Sequence, residues 1–241
     1  MSAQDTQAAP GENGLDSFLD KWRARWPEWA VAQVFVPVAQ RPVALAWASL
    51  VQELTDAAWG GSDARPGEAK LAWWLEELQG WSKGVRRHPL GIALQRLPAS
   101  WAALAASLPS LRDSRERPRD DADARAGLRP FADAIATIES QLFGGPVESA
   151  VAVVTSSLLQ ARLAQTGESA VPLSTLARDG EGATLRTWGG QLLRDWPDGP
   201  ASRPRQVWGA LARQRLRRGD AALPVPPWSA LLAAWRGARK A

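Results

Sequence analysis

The chain has 241 residues, of which 45% are hydrophobic and 22% charged, with a formal net charge of +4. This length and composition allow a sizeable buried core and exclude a wholly disordered chain. The sequence has no cysteine and a single histidine, which excludes disulfide bonds, thiolate metal sites and cysteine nucleophiles.

The first fourteen residues are polar, acidic and glycine-containing. They lack the basic start and the apolar centre of a secretory signal. No apolar run approaches the ~20 residues that a membrane span needs. We therefore expect residues 1–14 to be disordered, residues 15–241 to form one domain, and the protein to be soluble and cytoplasmic.

Apolar residues recur with helical spacing along the chain, and no stretch alternates as a strand would. Asp16 is predicted to cap a first helix that ends before Pro27, and Pro42 and Pro66 are predicted to begin the next two helices. Further helices are predicted at 90–97, 99–108, 128–143, 147–165, 183–196, 203–218 and 227–238. The chain is therefore predicted to be all-α, with about ten helices.

Two segments carry unusual charge. Segment 112–125 is almost wholly charged and contains Pro118, so an exposed loop is predicted there. Residues 203–241 carry nine basic side chains and one acid, whereas residues 1–202 carry 20 basic and 24 acidic ones. Such a basic region binds anionic lipid surfaces or nucleic acid, or simply forms solvated helix faces. Its interleaving with apolar residues favours solvated faces. We expect no DNA partner, and peripheral membrane contact stays an alternative.

The common catalytic motifs are missing from the sequence. His88 directly precedes Pro89, and no nucleophile-elbow sequence accompanies it. No glycine loop is followed by Lys-Ser or Lys-Thr, and no dinucleotide fingerprint follows a strand. Hydrolase, kinase and dehydrogenase functions therefore have little support.

Residues 45–97 contain an ordered series of chemically distinctive side chains. A predicted helix carrying Glu53 and Asp56 is followed by a basic residue, a Trp-Trp pair and an acidic residue, and then by a His-Pro that opens the next helix. These later residues are Lys70, Trp73, Trp74, Glu77, Arg87, His88 and Pro89. In order and spacing, this series resembles the squalene/phytoene synthase family.

The resemblance implies a single bundle of helices around a central cavity, the isoprenoid-synthase fold. Active members of the family condense two prenyl diphosphates head to head. Two aspartate-rich motifs on facing helices hold Mg²⁺, which assists departure of the diphosphate. Magnesium prefers hard oxygen ligands, and an ionising diphosphate needs its growing negative charge neutralised.

The sequence departs from the family pattern at both motifs. Glu53 and Asp56 keep part of the first. The second should precede a glycine and then a proline, as Gly167 and Pro172 do. Counting back from these residues places its acidic positions near Leu159 and Leu163, with Arg162 between them. Both aspartates are therefore replaced by apolar residues in this alignment.

The first hypothesis is a non-catalytic protein that binds a prenyl or other lipid ligand or a protein partner, as an assembly factor does, and needs no cofactor. The alternative is an active prenyl transferase. In that case Glu53 and Asp56 would hold Mg²⁺, and the basic residues Lys70, Arg87 or Arg162 would hold the diphosphate.

Purely structural interpretations stand beside these functions. Trp73 and Trp74 lie on adjacent helix faces, so one is predicted in the core and the other on a cavity or partner surface. His88 is predicted to cap or pack at a helix start, and Glu53 and Asp56 can be solvated on one helix face. The 14 tryptophans either line a wide apolar pocket or fill a core without tyrosine.

Overall fold

The computed structural model describes residues 10–179 and 183–241, and every regular element in these ranges is helical. The all-α prediction is therefore confirmed. The α-helices are α1 (Pro10–Arg25), α2 (Trp29–Ala32), α3 (Arg41–Trp59), α4 (Arg65–Trp81), α5 (Leu90–Leu94), α6 (Trp101–Asp113), α7 (Asp121–Phe143), α8 (Val147–Thr166), α9 (Leu173–Asp179), α10 (Thr184–Arg194), α11 (Arg203–Arg217) and α12 (Pro227–Ala238). Short 3₁₀-helices lie at Gln33–Phe35, Val38–Gln40 and Gly167–Ala170.

Helix α1 begins earlier than predicted. Residues 10–14 belong to the segment that was expected to be disordered, and they are helical, whereas residues 1–9 lie outside the described residues. Pro10 suits a helix start because its missing N–H would have no partner there. The sequence also gave no sign of α2 and α9, which have four and seven residues. Such short helices carry too few apolar repeats to be detected by periodicity.

Half of the charged segment 112–125 is helical, so the prediction of an exposed loop over its whole length is wrong. Helix α6 continues to Asp113 and α7 begins at Asp121, which leaves only residues 114–120 between them. Asp120 caps α7 by accepting a hydrogen bond from the Asp123 N–H at 2.8 Å. Acidic side chains in a first turn also interact favourably with the helix dipole.

Helix α3 is the central element of the bundle. Fourteen of its 19 residues are buried. A helix that buries nearly all of its surface must be surrounded by other helices, and α1, α4, α5, α6 and α8 all contact α3. Elsewhere the most extensive helix contacts are those of α7 with α8 and of α11 with α12, and α8 also packs against α11.

The backbones of α3 and α4 approach each other closely at Gly67. A Cβ atom at Gly67 would stand 2.1 Å from the carbonyl oxygen of Ala57. No side chain fits there, so α4 lies directly against α3 at this point. This contact fixes the position of the next turn of α4, which carries Lys70.

Most tryptophans belong to the core. Ten of the 14 are buried, Trp26 and Trp73 are half-buried, and Trp228 and Trp235 are exposed. Trp81 and Trp101 pack edge to face at 5.2 Å between ring centroids. Such pairs add stability beyond the burial of apolar area.

Within the described ranges no single helix is both long and apolar enough to cross a membrane. By length and composition, α7 and the segment Val147–Ala170 reach that threshold only as a pair bent by 119°.

Candidate binding cavity

A cavity of about 370 Å³ lies between α1, α3, α8 and α11. Four indole rings form part of its wall, those of Trp22, Trp26, Trp47 and Trp208. Its size falls within the usual range for small-molecule sites. No aspartate or glutamate is found among the lining residues that the structure describes.

Two arginines of the cavity wall are held by buried carboxylates behind it. Arg215 donates to Glu28 through Nε and Nη2, at 2.8 and 2.7 Å. Its guanidinium carbon lies 3.8 Å from the centre of the Trp26 ring. Arg205 donates to Glu139 through Nε at 2.8 Å and also through Nη2. Their charges are therefore compensated, and the guanidinium planes are fixed in position.

Three polar atoms of lining residues are buried without a hydrogen-bond partner in the described part of the chain. They are Gln52 Oε1, Gln160 Oε1 and Trp208 Nε1. Gln160 is oriented by its Nε2, which donates to the Ala221 carbonyl at 2.6 Å. Buried polar groups are nearly always paired. The wall thus combines a large apolar area with two free acceptors and one free donor.

Glu53 and Asp56, the predicted remainder of the first acidic motif, do not line this cavity. Glu53 accepts from Lys21 at 2.5 Å and from Lys70 at 2.7 Å. Asp56 is paired with Arg25 at 2.6 Å and with Lys21 at 2.9 Å. Burial raises the pKa of Glu53, but the hydrogen bonds from both lysines outweigh burial and hold the pKa below its ordinary value. Glu53 is therefore ionised, and both carboxylates are paired with neighbouring cations.

This acidic pair does not fit the Mg²⁺ site that the family resemblance implies. Each of its four carboxylate oxygens already contacts an ammonium or guanidinium group of Lys21, Arg25 or Lys70. Magnesium requires near-octahedral oxygen ligands, and these three cations would repel it. Within the described residues, no three His, Cys, Asp or Glu side chains form a group that could hold a metal ion.

The predicted positions of the second motif lie on a different face of α8 from the cavity. Leu159 and Leu163 are buried in the core and do not line the cavity. The α8 residues that do line it include Ser157, Ala161 and Gln165. The positions that the alignment assigns to the second motif therefore do not face this cavity. The lining face of α8 likewise carries no acidic residue.

Arg162 lies away from the cavity. Its Nη2 donates to the carbonyl oxygens of Arg115 and Glu116, at 3.3 and 2.7 Å, in the connection between α6 and α7. Burial lowers the pKa of Arg162 to about 10, with a smaller contribution from the nearby charge of Arg117. The structure thus places this guanidinium against the backbone of the segment that joins α6 to α7.

Glu77 organises the segment that leads into α5. It is buried on α4, and its Oε1 accepts from the backbone N–H groups of Arg87 and His88 at 2.7 and 2.8 Å. Its Oε2 accepts from Arg87 Nε at 3.0 Å, and its Oε1 accepts from Trp81 Nε1 at 2.8 Å. Burial raises the pKa of Glu77, but these hydrogen bonds outweigh it and bring the pKa below its ordinary value. The arrangement fixes the backbone before Pro89.

The Trp-Trp pair divides as predicted on the core side. Trp74 is fully buried, whereas Trp73 is half-buried with the Arg87 guanidinium 5.3 Å from its ring centre. His88 packs 4.5 Å from Trp74 and 4.4 Å from Phe18, measured between ring centroids. Neither tryptophan lines the cavity. The predicted cavity or partner surface at Trp73 is instead covered in part by Arg87.

His88 lies just before α5, as predicted for a residue that caps or packs at a helix start. Its Nδ1 accepts from the Leu90 N–H at 3.1 Å. Burial lowers its pKa to about 4, although the charges of Glu53 and Glu77 act in the opposite direction. The imidazole is therefore neutral at physiological pH.

The chain matches no family model and no curated protein. Among solved structures, the squalene synthase HpnC from Alicyclobacillus acidocaldarius superposes on it with a TM-score of 0.55, covering 95% of this chain and 92% of that chain. The chain has a squalene-synthase-like fold. At 17% identity the likeness shows the fold alone. The isoprenoid-synthase-like bundle predicted from residues 45–97 is thereby confirmed.

Within this squalene-synthase-like fold, sequence reasoning missed the charged groups around the cavity. Arg205, Arg215 and their partners Glu28 and Glu139 were not singled out. One signal was available: Glu139 follows Ile135 by four residues and so lies on the apolar face of α7. An acid on an apolar face indicates a buried partner of opposite charge.

Proposed function

We propose that this protein is non-catalytic and binds a prenyl or other lipid ligand in the cavity between α1, α3, α8 and α11. The observation that carries the proposal is the pairing of Glu53 and Asp56 with Lys21, Arg25 and Lys70. The carboxylates that would hold a metal in an active family member are here bound to cations.

The electrostatics disfavour prenyl transfer. Departure of a diphosphate builds up negative charge, which must meet metal ions or free cations. Lys21 and Lys70 are engaged with Glu53, and Arg25 is engaged with Asp56. A metal-free transferase would need these cations to leave their partners and face the substrate. Breaking each of these ion pairs costs free energy. Little of the binding free energy would therefore remain to stabilise the transition state.

The cavity wall suits a ligand with an apolar body and a small polar end. Its apolar area is supplied largely by tryptophan rings, while Gln52, Gln160 and Trp208 offer unpaired polar atoms. A hydroxyl group can donate to one amide oxygen and accept from the indole N–H. A prenyl alcohol or another lipid of similar size has this combination.

The ligand can be sought by native mass spectrometry of the freshly purified protein, followed by titration with farnesol. Ala161→Trp fills the cavity from α8 and is expected to reduce ligand occupancy at least about tenfold. Ala103→Trp places the same side chain at an exposed position of α6 and serves as the control. Equal occupancy in both variants would show that the ligand lies elsewhere.

The absence of catalysis is tested with Mg²⁺ and farnesyl or geranylgeranyl diphosphate. We expect neither hydrocarbon nor released diphosphate. Turnover that disappears in Glu53→Ala/Asp56→Ala would establish the transferase alternative and overturn the proposal. A failure to find a bound lipid would refute the cavity proposal. It would not by itself support the transferase alternative.

A further inference from the structure

Helix α12 presents an apolar stripe to the outside of the bundle. Trp228 is 83% exposed, and Leu232 and Trp235 are exposed on the same helix. Their spacing of four and three residues places them on one face. The opposite face is fixed, because a Cβ at Gly237 would lie 2.5 Å from the Gln206 carbonyl of α11. The stripe therefore belongs to a rigidly packed helix. Within the described residues its three side chains stay exposed, with the Arg239 guanidinium 5.0 Å from the centre of the Trp235 ring.

A basic groove lies beside this stripe, between α11 and α12. Its volume is about 150 Å³, and its charged lining residues are Arg213, Arg217, Arg236, Lys240 and Asp198. Four cations thus face one another across a small space with a single carboxylate. This groove is separate from the cavity described above.

The positive charge of the groove is only partly compensated. Asp198 pairs with Lys240 at 2.5 Å and with Arg213 at 3.3 Å. Arg217 and Arg236 form no salt bridge within the described ranges, and Arg213 Nε is buried without an acceptor there. Burial lowers the pKa of Arg217, and the charges of Arg213 and Arg236 lower it further. Guanidinium groups without a carboxylate partner favour binding of an oxyanion, and phosphate matches their geometry best.

We propose that α12 and the basic groove dock the protein on an anionic lipid bilayer. Trp228, Leu232 and Trp235 would lie at the boundary of headgroups and acyl chains, with a lipid phosphate between Arg217 and Arg236. Residues 221–241 contain three basic side chains and no acidic one, so the face is complementary to a negative surface. Tryptophan is also the residue enriched at membrane interfaces. A nucleic acid would use the arginines but would leave the leucine and the two indoles without an apolar partner. The proposal is independent of what the cavity binds.

The test is co-sedimentation with two kinds of vesicle, pure phosphatidylcholine and phosphatidylcholine with about 30% phosphatidylglycerol. We expect binding only to the anionic vesicles and a strong decrease in high salt. Arg217→Gln/Arg236→Gln should lower the partition coefficient by about twenty-five-fold, at about fivefold for each arginine near the surface. Trp228→Ala should lower it by about tenfold through the lost apolar contact.

Matched controls lie around α5, outside the groove. Arg86→Gln/Arg96→Gln removes the same charge from exposed positions, and Ile92→Ala removes an exposed apolar side chain. Both should bind vesicles as the unaltered protein does. Circular dichroism at the working temperature establishes that all variants are folded. Equal losses of vesicle binding in the groove variant and in its control would show that binding depends only on net charge. That result would overturn the proposal.

Three further results would also overturn it. One is equal binding to both kinds of vesicle. Another is protection of the protein by inorganic phosphate in a thermal-shift assay with no vesicle binding, which would make the groove a site for free anions. The last is a dimer, seen by analytical ultracentrifugation, that Trp228→Ala dissociates, because the stripe would then be a contact between protein copies.

Discussion

The imidazole of His88 should make the stability of the fold depend on pH at values above those at which the carboxylates titrate. Burial lowers the pKa of His88 from 6.5 to about 4 in the folded protein. The unfolded chain therefore binds more protons than the folded one between these values. The stability due to the neutral imidazole is complete above pH 6.5 and is lost as the pH falls toward 4.

The size of the effect follows from these two pKa values. Lowering the pH from 7 to 5 would remove about 1.8 kcal/mol of unfolding free energy for a fully shielded group. His88 is only partly buried, and solvent screening reduces this to about 1 kcal/mol, or about 2–4 °C in Tm. Glu53 and Glu77 have lowered pKa values, so their protonation changes the stability only below about pH 4.5. They therefore contribute little to the change between pH 7 and pH 5, which reports on the histidine.

The assay is urea unfolding at pH 7 and pH 5 of the natural protein and of His88→Asn. Asparagine does not titrate, and its side-chain oxygen can still accept from the Leu90 N–H. We expect the natural protein to lose about 1 kcal/mol more than the variant over this interval. Because the chain has one histidine, NMR titration reports its pKa without assignment. A native pKa near 6.5, or equal losses in the two proteins, would refute the reasoning.

Two stability predictions concern buried carboxylates, and both are measured by urea unfolding at pH 7. Arg215→Met leaves Glu28 buried without its guanidinium partner and should cost about 3–5 kcal/mol, most of which Glu28→Gln/Arg215→Met should restore. No recovery in the double variant would mean that packing of the arginine, not charge, stabilises the site. Glu77→Ala should cost about 2–4 kcal/mol, because two backbone N–H groups before Pro89 lose their acceptor. Glu76→Ala, at the exposed neighbouring position, should change stability by less than about 0.5 kcal/mol.

The helices that the sequence predicted best are those with several apolar repeats and a clear start. α3 and α4 begin within one residue of the predicted Pro42 and Pro66, because proline is favoured in a first turn. The charge of segment 112–125 predicts a loop, whereas residues 121–125 of this segment belong to α7. Asp120 instead acts as an N-cap, and the acidic first turn supports the helix.

The candidate site was predicted less completely, for two physical reasons. Lys21 precedes Glu53 by 32 residues, and their pairing depends on how α1 packs on α3, which periodicity does not reveal. Helical phase sets the second limit. Each residue turns a helix by about 100°, so a shift of two residues moves a side chain to the other face. The lining residue Ala161 and the core residue Leu159 differ by this shift.

The contact between Gly67 and Ala57 limits how the protein could be redesigned. The two backbones touch one turn before Lys70, so that lysine stays above Glu53 as long as the helices keep their spacing. Replacing Lys70 by alanine would free one carboxylate oxygen but would not widen the gap between the helices. An engineer who wished to build a metal centre on Glu53 and Asp56 would therefore have to move α4 itself.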